Sequence, residues 1–458
     1  MKIPGLSDRR SALLFFLMFG ICTLLNVNYA VLRSARTALA VADLGGGAGA
    51  IPWFELCGTM PGAFLMTLGL TWLLNRFSIR RVFLLSLSIF IVFFLGFSLG
   101  VYPFLSKGVL FAKLASKLAS MSFFVMAELW KISLLTILFW GFVNQYVPLE
   151  TAKRFYAPLI LGGSLGTIAA GPLISLCTSD FVSRQSWSGS LVAMTLTVAI
   201  IGGFTAWMFV YLWRMLSGTD KNEAEPREQD KPISVWDSFR ICFRSRYLML
   251  LAWVTIADYI AYALGEVVFL DVLRQKFPDP RLYADFMGKL SVWNGLLTAF
   301  SAIVITPYLL RKTRWVVASL ITPVCLLVTE GAFFFSVWNT TLATQIEVQV
   351  LFGTIFYCLV RAAKYTLFDT SKEISFILLP PLEKMHGKLI VDGMCSRLGR
   401  GGGSMVSILL IQACGGVLAS VPIVGGAAIA ISASCVFATS RLGRLVEERT
   451  PRVENSSA

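Results

Sequence analysis

The stretch that decides the architecture is GTDKNEAEPREQDKPISV, residues 218–235. It is rich in charge and carries neither the 3.6-residue nor the two-residue apolar period of a packed helix or strand. On either side the chain is a succession of apolar runs. Six precede it, from about 11–32 to 190–216, and six follow, from about 247–273 to 420–438. Most approach or exceed the roughly 20 residues that cross a bilayer as a helix. Continuous runs of this kind exclude a transmembrane β-barrel, whose strands alternate apolar and polar residues. The sequence therefore predicts an all-α polytopic membrane protein with about 12 transmembrane helices in a 6+6 arrangement. The expected parts are an N-terminal six-helix half (1–217), a cytoplasmic linker (218–246), a C-terminal six-helix half (247–440) and a cytoplasmic tail (441–458). The last two runs, 399–419 and 420–438, nearly touch and are rich in Gly, Ala and Ser.

Composition agrees. Of 458 residues, 56 % are hydrophobic and 14 % charged, against roughly 25 % charged in soluble domains. Mean hydropathy is +0.72. The first run follows Arg9 and Arg10 like a signal peptide, but it has no clear small-x-small cleavage site, so it reads as a retained helix. Nine Cys without a CxxC, and the single His386, argue against a disulfide framework or a His/Cys metal site. No metal or other cofactor is expected. No nucleophile–base constellation appears either, so the chain does not read as an enzyme. The glycines at 399 and 401–403 lack the GxxxxGK[ST] pattern of a P-loop. They are expected to break or loosen a helix start. GGSLG, 162–166, holds a Gly-xxx-Gly step of the kind that packs helices.

The net charge is +14. In a soluble protein this would suggest a nucleic-acid partner; here the bilayer is the first partner, and topology explains most of the excess. With the N-terminus inside, 29 of the 40 Lys and Arg fall on the cytoplasmic side and 10 on the other, with Lys131 within a span. That split places both termini in the cytoplasm. Arg361 and Lys364 are counted there as cytoplasmic. A central linker between equal six-helix halves is the arrangement of major-facilitator-type transporters, which bind substrate near the midplane. The oligomeric state is not legible.

Ionisable residues inside a membrane cost roughly 2.5–3.5 kcal/mol each on insertion scales, so each is a functional candidate. Glu128 and Lys131 in AELWKIS, Asp258 in TIADYIAY, Glu266 in ALGEVVFL and Glu347 in TQIEVQV stand out. Glu55 and Glu330 lie nearer predicted ends and read better as solvated termini. Glu128 and Lys131 are three apart, close enough to meet on one helix. They form either a neutralising pair or a carboxylate gated by substrate or proton. Glu266 has no cation within four residues and is either a protonated or snorkelling carboxylate or a functional one. Asp258, eight residues earlier, falls roughly on its face, suggesting a polar cavity beside the seventh span. Two basic groups could meet a polyanion: Arg33 with Arg36, and Lys384, Lys388, Arg397 and Arg400. Arg and Lys bind phosphates by charge, Arg also through a planar fork. Positive-inside bias explains the second group equally well.

Several segments together resemble one family. They are NYAVLRSARTALAV (28–41), FVMAELWKISLLTILFWGFVNQYVPLETAKRFY (124–156), GEVVFLDVLRQKFPDPRLYADFMGKLS (265–291), AAKYTLFDTSKEISFILLP (362–380) and HGKLIVDGMCSRLGRGGGS (386–404). They are similar, in order, to the nucleotide transporters of obligate intracellular bacteria and plastids, the non-mitochondrial ATP:ADP antiporters. The resemblance implies a major-facilitator-like fold and a secondary transporter in a bacterial inner membrane. Its substrate would be a nucleotide, most often exchanged as ATP for ADP. Proton-coupled nucleotide import, or another anionic metabolite in a diverged paralogue, are the alternatives. The family's first-loop Lys falls on Arg36, its fourth-span Glu on Glu128, its seventh-span Glu on Glu266 and its late Lys on Lys388. The departures are Arg36 for Lys, Thr37 for the following Asp, Phe269-Leu270 for Trp-Lys, and Lys131 for Gly. Arg36, Glu128, Lys131, Glu266 and Lys388 are thus the expected substrate-binding set, with Trp130 and Phe269 as candidates to stack on a base.

Overall fold

A computed structural model describes residues 8–44, 46–106, 112–146, 149–217, 235–339 and 345–454. The hydrophilic stretch 218–234 lies outside them. Among the described residues there is no strand, and eleven helices are long and apolar enough to cross a membrane. These are α1 (Ala12–Val41), α2 (Ala50–Arg76), α3 (Ile79–Leu105), α4 (Leu114–Gln145), α5 (Pro158–Thr178), α6 (Trp187–Leu216), α7 (Arg246–Lys276), α8 (Pro280–Lys312), α9 (Trp315–Trp338), α10 (Ile346–Ile377) and, last, α12 (Val421–Arg449). The remaining expected span is the helix α11 (Ser396–Cys414), which carries Arg397, Arg400 and four glycines and is too polar to join that set. A ten-residue helix, Val235–Arg244, precedes α7, and the last helix continues to Glu454. Helices are the required solution here, because lipid offers no partner to backbone N–H and C=O groups.

Several helices contain a π-helical segment, among them Lys131–Phe139 in α4, Ser301–Ile305 in α8, and Lys364–Phe368 in α10. Another, Leu389–Cys395, leads into α11. Such segments often sit at functional sites.

The chain divides into two compact units. Unit 1 comprises residues 1–50, 57–225 and 277–299; unit 2 comprises 51–56, 226–276 and 300–458. The first part of α8 therefore packs within unit 1. In unit 1, α1 lies chiefly against α5 and α6, then α4. Gly166 makes the α1–α5 approach possible, since any Cβ there would strike the backbone of Thr23. Gly171 of α5 and Gly288 of α8 face one another in the same way: a Cβ on Gly171 would come 3.0 Å from the Gly288 carbonyl oxygen. With lipid outside as apolar as the core, such close van der Waals packing is what holds spans together. A ladder of aromatics fills the rest: Phe83 stacks on Phe209 at 4.0 Å, and Phe94 meets Phe123 edge-on at 5.0 Å.

In unit 2, α7 is the central helix, packed against α12 and α11, while α9 lies on α12 and α10. Gly399 and Gly403 do not break α11. They sit inside the continuous helix and let it approach α7, where Cβ atoms would crowd Tyr259 and Ala263. The expectation of a loosened helix start is thus corrected. Large side chains such as Val92, Ile200, Trp207, Val328 and Phe437 are exposed, as lipid-facing positions should be.

Candidate functional site

Among the described residues, each unit holds a group of buried, paired charged side chains inside its spans. In unit 1 the guanidinium of Arg36, on α1, forms an ion pair with Glu128 of α4. Both side chains are buried, at 8 % and 5 % exposure. The Tyr29 hydroxyl also donates to Glu128, at 3.1 Å. Arg36 stacks on the Phe124 ring, 4.1 Å from its centroid, and Lys131 lies 5.3 Å over Tyr29. Nε and Nη1 of Arg36 are buried without a hydrogen-bond partner. A guanidinium has five donor hydrogens, so this one keeps unused capacity for acceptor oxygens. Arg36, Glu128 and Lys131, chosen from sequence, therefore form one cluster. Thr37, at the position of the family's Asp, donates back to the Arg33 carbonyl of its own helix at 2.8 Å.

Unit 2 holds the second group. Lys364 of α10 pairs with Asp258 of α7; the side chains are 9 % and 1 % exposed. Its ammonium lies 3.3 Å from the Tyr259 ring centroid. One turn earlier on α10, Arg361 reaches toward Glu266 of α7, with Nη2 at 4.0 Å from Oε1. Tyr262 donates to Glu266 at 3.4 Å. Asp258 and Glu266 thus meet different cations, Asp258 buried and Glu266 28 % exposed.

Several expectations change. Arg361 and Lys364, counted as cytoplasmic, lie within α10. The helix does not stop near them but continues to Ile377, so both cations lie well inside the span. Glu330 is not a solvated terminus: it is 0 % exposed and accepts a hydrogen bond from Ser432 at 2.7 Å. α12 covers it. Trp130 is fully buried, edge-on to Phe90 at 5.6 Å, with its Nε1 donating to the Leu25 carbonyl at 3.4 Å. Phe269 is equally buried, between Phe333 and Tyr357. Both rings serve packing, and neither presents a face for a base. Lys388 is exposed and pairs with Glu373 at 2.8 Å. Glu347 pairs with Lys276 on α7.

The profile of the TLC ATP/ADP transporter family matches residues 9–445. The chain belongs to that family. ADP,ATP carrier protein 1 of Chlamydia muridarum is 31 % identical over 472 residues, spanning 96 % of this chain and 89 % of the relative. The chloroplastic ADP,ATP carrier protein 2 of Arabidopsis thaliana is 30 % identical, over 87 % of this chain and 69 % of its own length. The fold is shared with solved transporters of low identity. The nucleoside transporter NupG superposes with a TM-score of 0.59 at 13 % identity, covering 94 % of this chain and 98 % of that one. A POT family transporter in complex with 5-aminolevulinic acid gives 0.64, again at 13 %, covering 93 % and 96 %. The family member is therefore an all-α, multi-pass, major-facilitator-like membrane transporter rather than an enzyme.

Proposed function

We propose that this transporter exchanges ATP for ADP by alternating access, with Arg36, Glu128 and Lys131 as its phosphate-facing group. The observation that carries the reading is Arg36: buried, stacked on Phe124, held by Glu128 on one side and unsatisfied at Nε and Nη1. A phosphate offers the oxygens that such a fork lacks. ADP,ATP carriers at about the same identity from a bacterium and a plastid support the same substrates. Exchange requires that the empty carrier reorient slowly. Unbalanced basic charge near the pathway supplies that resistance, and the bound anion relieves it. Glu266 and Lys388 act in the same cycle, Glu266 as a gating carboxylate and Lys388 as a second phosphate contact released from Glu373. The protein works in a bacterial inner membrane with both termini in the cytoplasm, the side that carries most Lys and Arg.

The test is uptake of a labelled nucleotide panel into proteoliposomes, empty or preloaded. Uptake of ATP and ADP that requires preloading supports exchange. Uptake into empty vesicles that a protonophore abolishes supports proton-coupled import instead. No uptake of any nucleotide in either assay points to another anionic metabolite.

A further inference from the structure

Among the described cations of α10, the exchange reading leaves Arg361 without a task. Lys364 is committed to Asp258, and Lys372 to Asp369 and Asp392. Arg361 is held differently. Its guanidinium lies 4.8 Å from the Tyr357 ring centroid and 5.6 Å from that of Tyr262, and Nη1 donates to the Tyr357 hydroxyl at 3.2 Å. These rings orient the fork. Its carboxylate partner is looser: Nη2 and Glu266 Oε1 are 4.0 Å apart, well beyond the roughly 2.7–2.9 Å of a charge-assisted hydrogen bond. Glu266 is 28 % exposed, Arg361 13 %.

An arginine fork fixed by aromatic faces, with a partly exposed carboxylate 4.0 Å from it, is a displaceable anion site. We propose that Arg361 binds a phosphate of the transported nucleotide and that Glu266 holds its place when no nucleotide is bound. The inference rests on the nucleotide reading above and extends it to a residue of unit 2. The ligand class is a phosphoanhydride: the site recognises oxygens, so inorganic tripolyphosphate should engage it as ATP does. Glu266 then competes with phosphate rather than contacting substrate, which also explains a carboxylate within a span of an anion carrier.

The experiment is equilibrium binding of ATP and of tripolyphosphate to the purified full-length protein. The variants are Arg361→Ala, Arg361→Lys, Glu266→Gln and the double Glu266→Gln/Arg361→Ala. Arg361→Ala should weaken both ligands about 10- to 100-fold, and Arg361→Lys should recover part of the loss. Glu266→Gln should tighten both, because the competitor's charge is gone. The double variant should behave like Arg361→Ala alone. Wild-type affinity for tripolyphosphate in Arg361→Ala would overturn the proposal. So would unchanged or weaker binding in Glu266→Gln, an arm that holds even if Arg361→Ala fails to fold. A merely structural arginine predicts no gain from Glu266→Gln. A wild-type protein that binds no ATP would overturn the nucleotide reading itself, and this inference with it.

Discussion

The charged groups of the two units follow one plan with opposite signs. In unit 1 a tyrosine on α1, Tyr29, is followed by arginines, and α4 answers with Glu128. In unit 2 a tyrosine on α7, Tyr262, is followed four residues later by Glu266, and α10 answers with Arg361. Glu128 and Arg361 each stand three residues before a lysine, and each lysine opens a π-helical segment, Lys131–Phe139 and Lys364–Phe368. Parallel repeats are the usual origin of such correspondence in this fold class. The difference lies in tightness. The unit 1 pair is closed and buried; the Glu266–Arg361 pair is long and partly exposed, while Lys364 beside it is locked to Asp258. One plan thus yields a firmly held cation with spare donors in unit 1, and a loosely held one in unit 2.

The largest effect is expected where unit 2 is locked. Lys364→Met strands Asp258 as a buried lone carboxylate and should cost about 3–5 kcal/mol of stability, read as thermal melting in detergent. Asp258→Asn added to it should restore most of the loss. An unchanged melting curve in the single variant would remove the distinction between the locked and loose pairs. Next comes the swap that gives unit 1 the signs of unit 2. Arg36→Glu combined with Glu128→Arg keeps a pair, so melting should stay near wild type, yet nucleotide affinity should fall about 10- to 100-fold. Retained affinity would mean that only the pair matters, not the position of its cation.

Smaller effects separate packing from binding. Trp130→Phe loses a long indole hydrogen bond and some volume. It should cost about 1 kcal/mol of stability and leave the choice among nucleotide bases unchanged in competition assays. A change in base preference would return Trp130 to the site. Smallest of all, Lys388→Gln removes an exposed pair with Glu373, whose contribution to stability is about 0–1 kcal/mol. Melting should not move, so any loss of transport in that variant reports a direct role in the cycle.

Much of this was legible in the residues. The spans were readable because lipid demands long apolar runs. Glu128 and Lys131 were readable because a charge in such a run is conspicuous; Arg36, past the end of the first run, was reached as a basic residue and through the family resemblance, and it lies inside α1 because the helix runs on to Val41. What escaped has physical reasons. Arg361 and Lys364 sit at the end of the tenth run, where basic residues are readily assigned to a cytoplasmic loop, but the helix runs on to Ile377. The spacing Arg-x-x-Lys, repeating Glu-x-x-Lys of α4, was the signal that could have found them. Trp130 and Phe269 looked available because a sequence does not say which side of a span faces protein. Glu330 looked solvated because its burial depends on α12, about a hundred residues later.

The central claim is obligatory exchange, and counting both directions at once tests it most directly. Proteoliposomes holding one labelled ADP should, on addition of differently labelled ATP outside, release one ADP for each ATP gained, with no uptake when they are empty. ATP entry without matching ADP release would contradict the account.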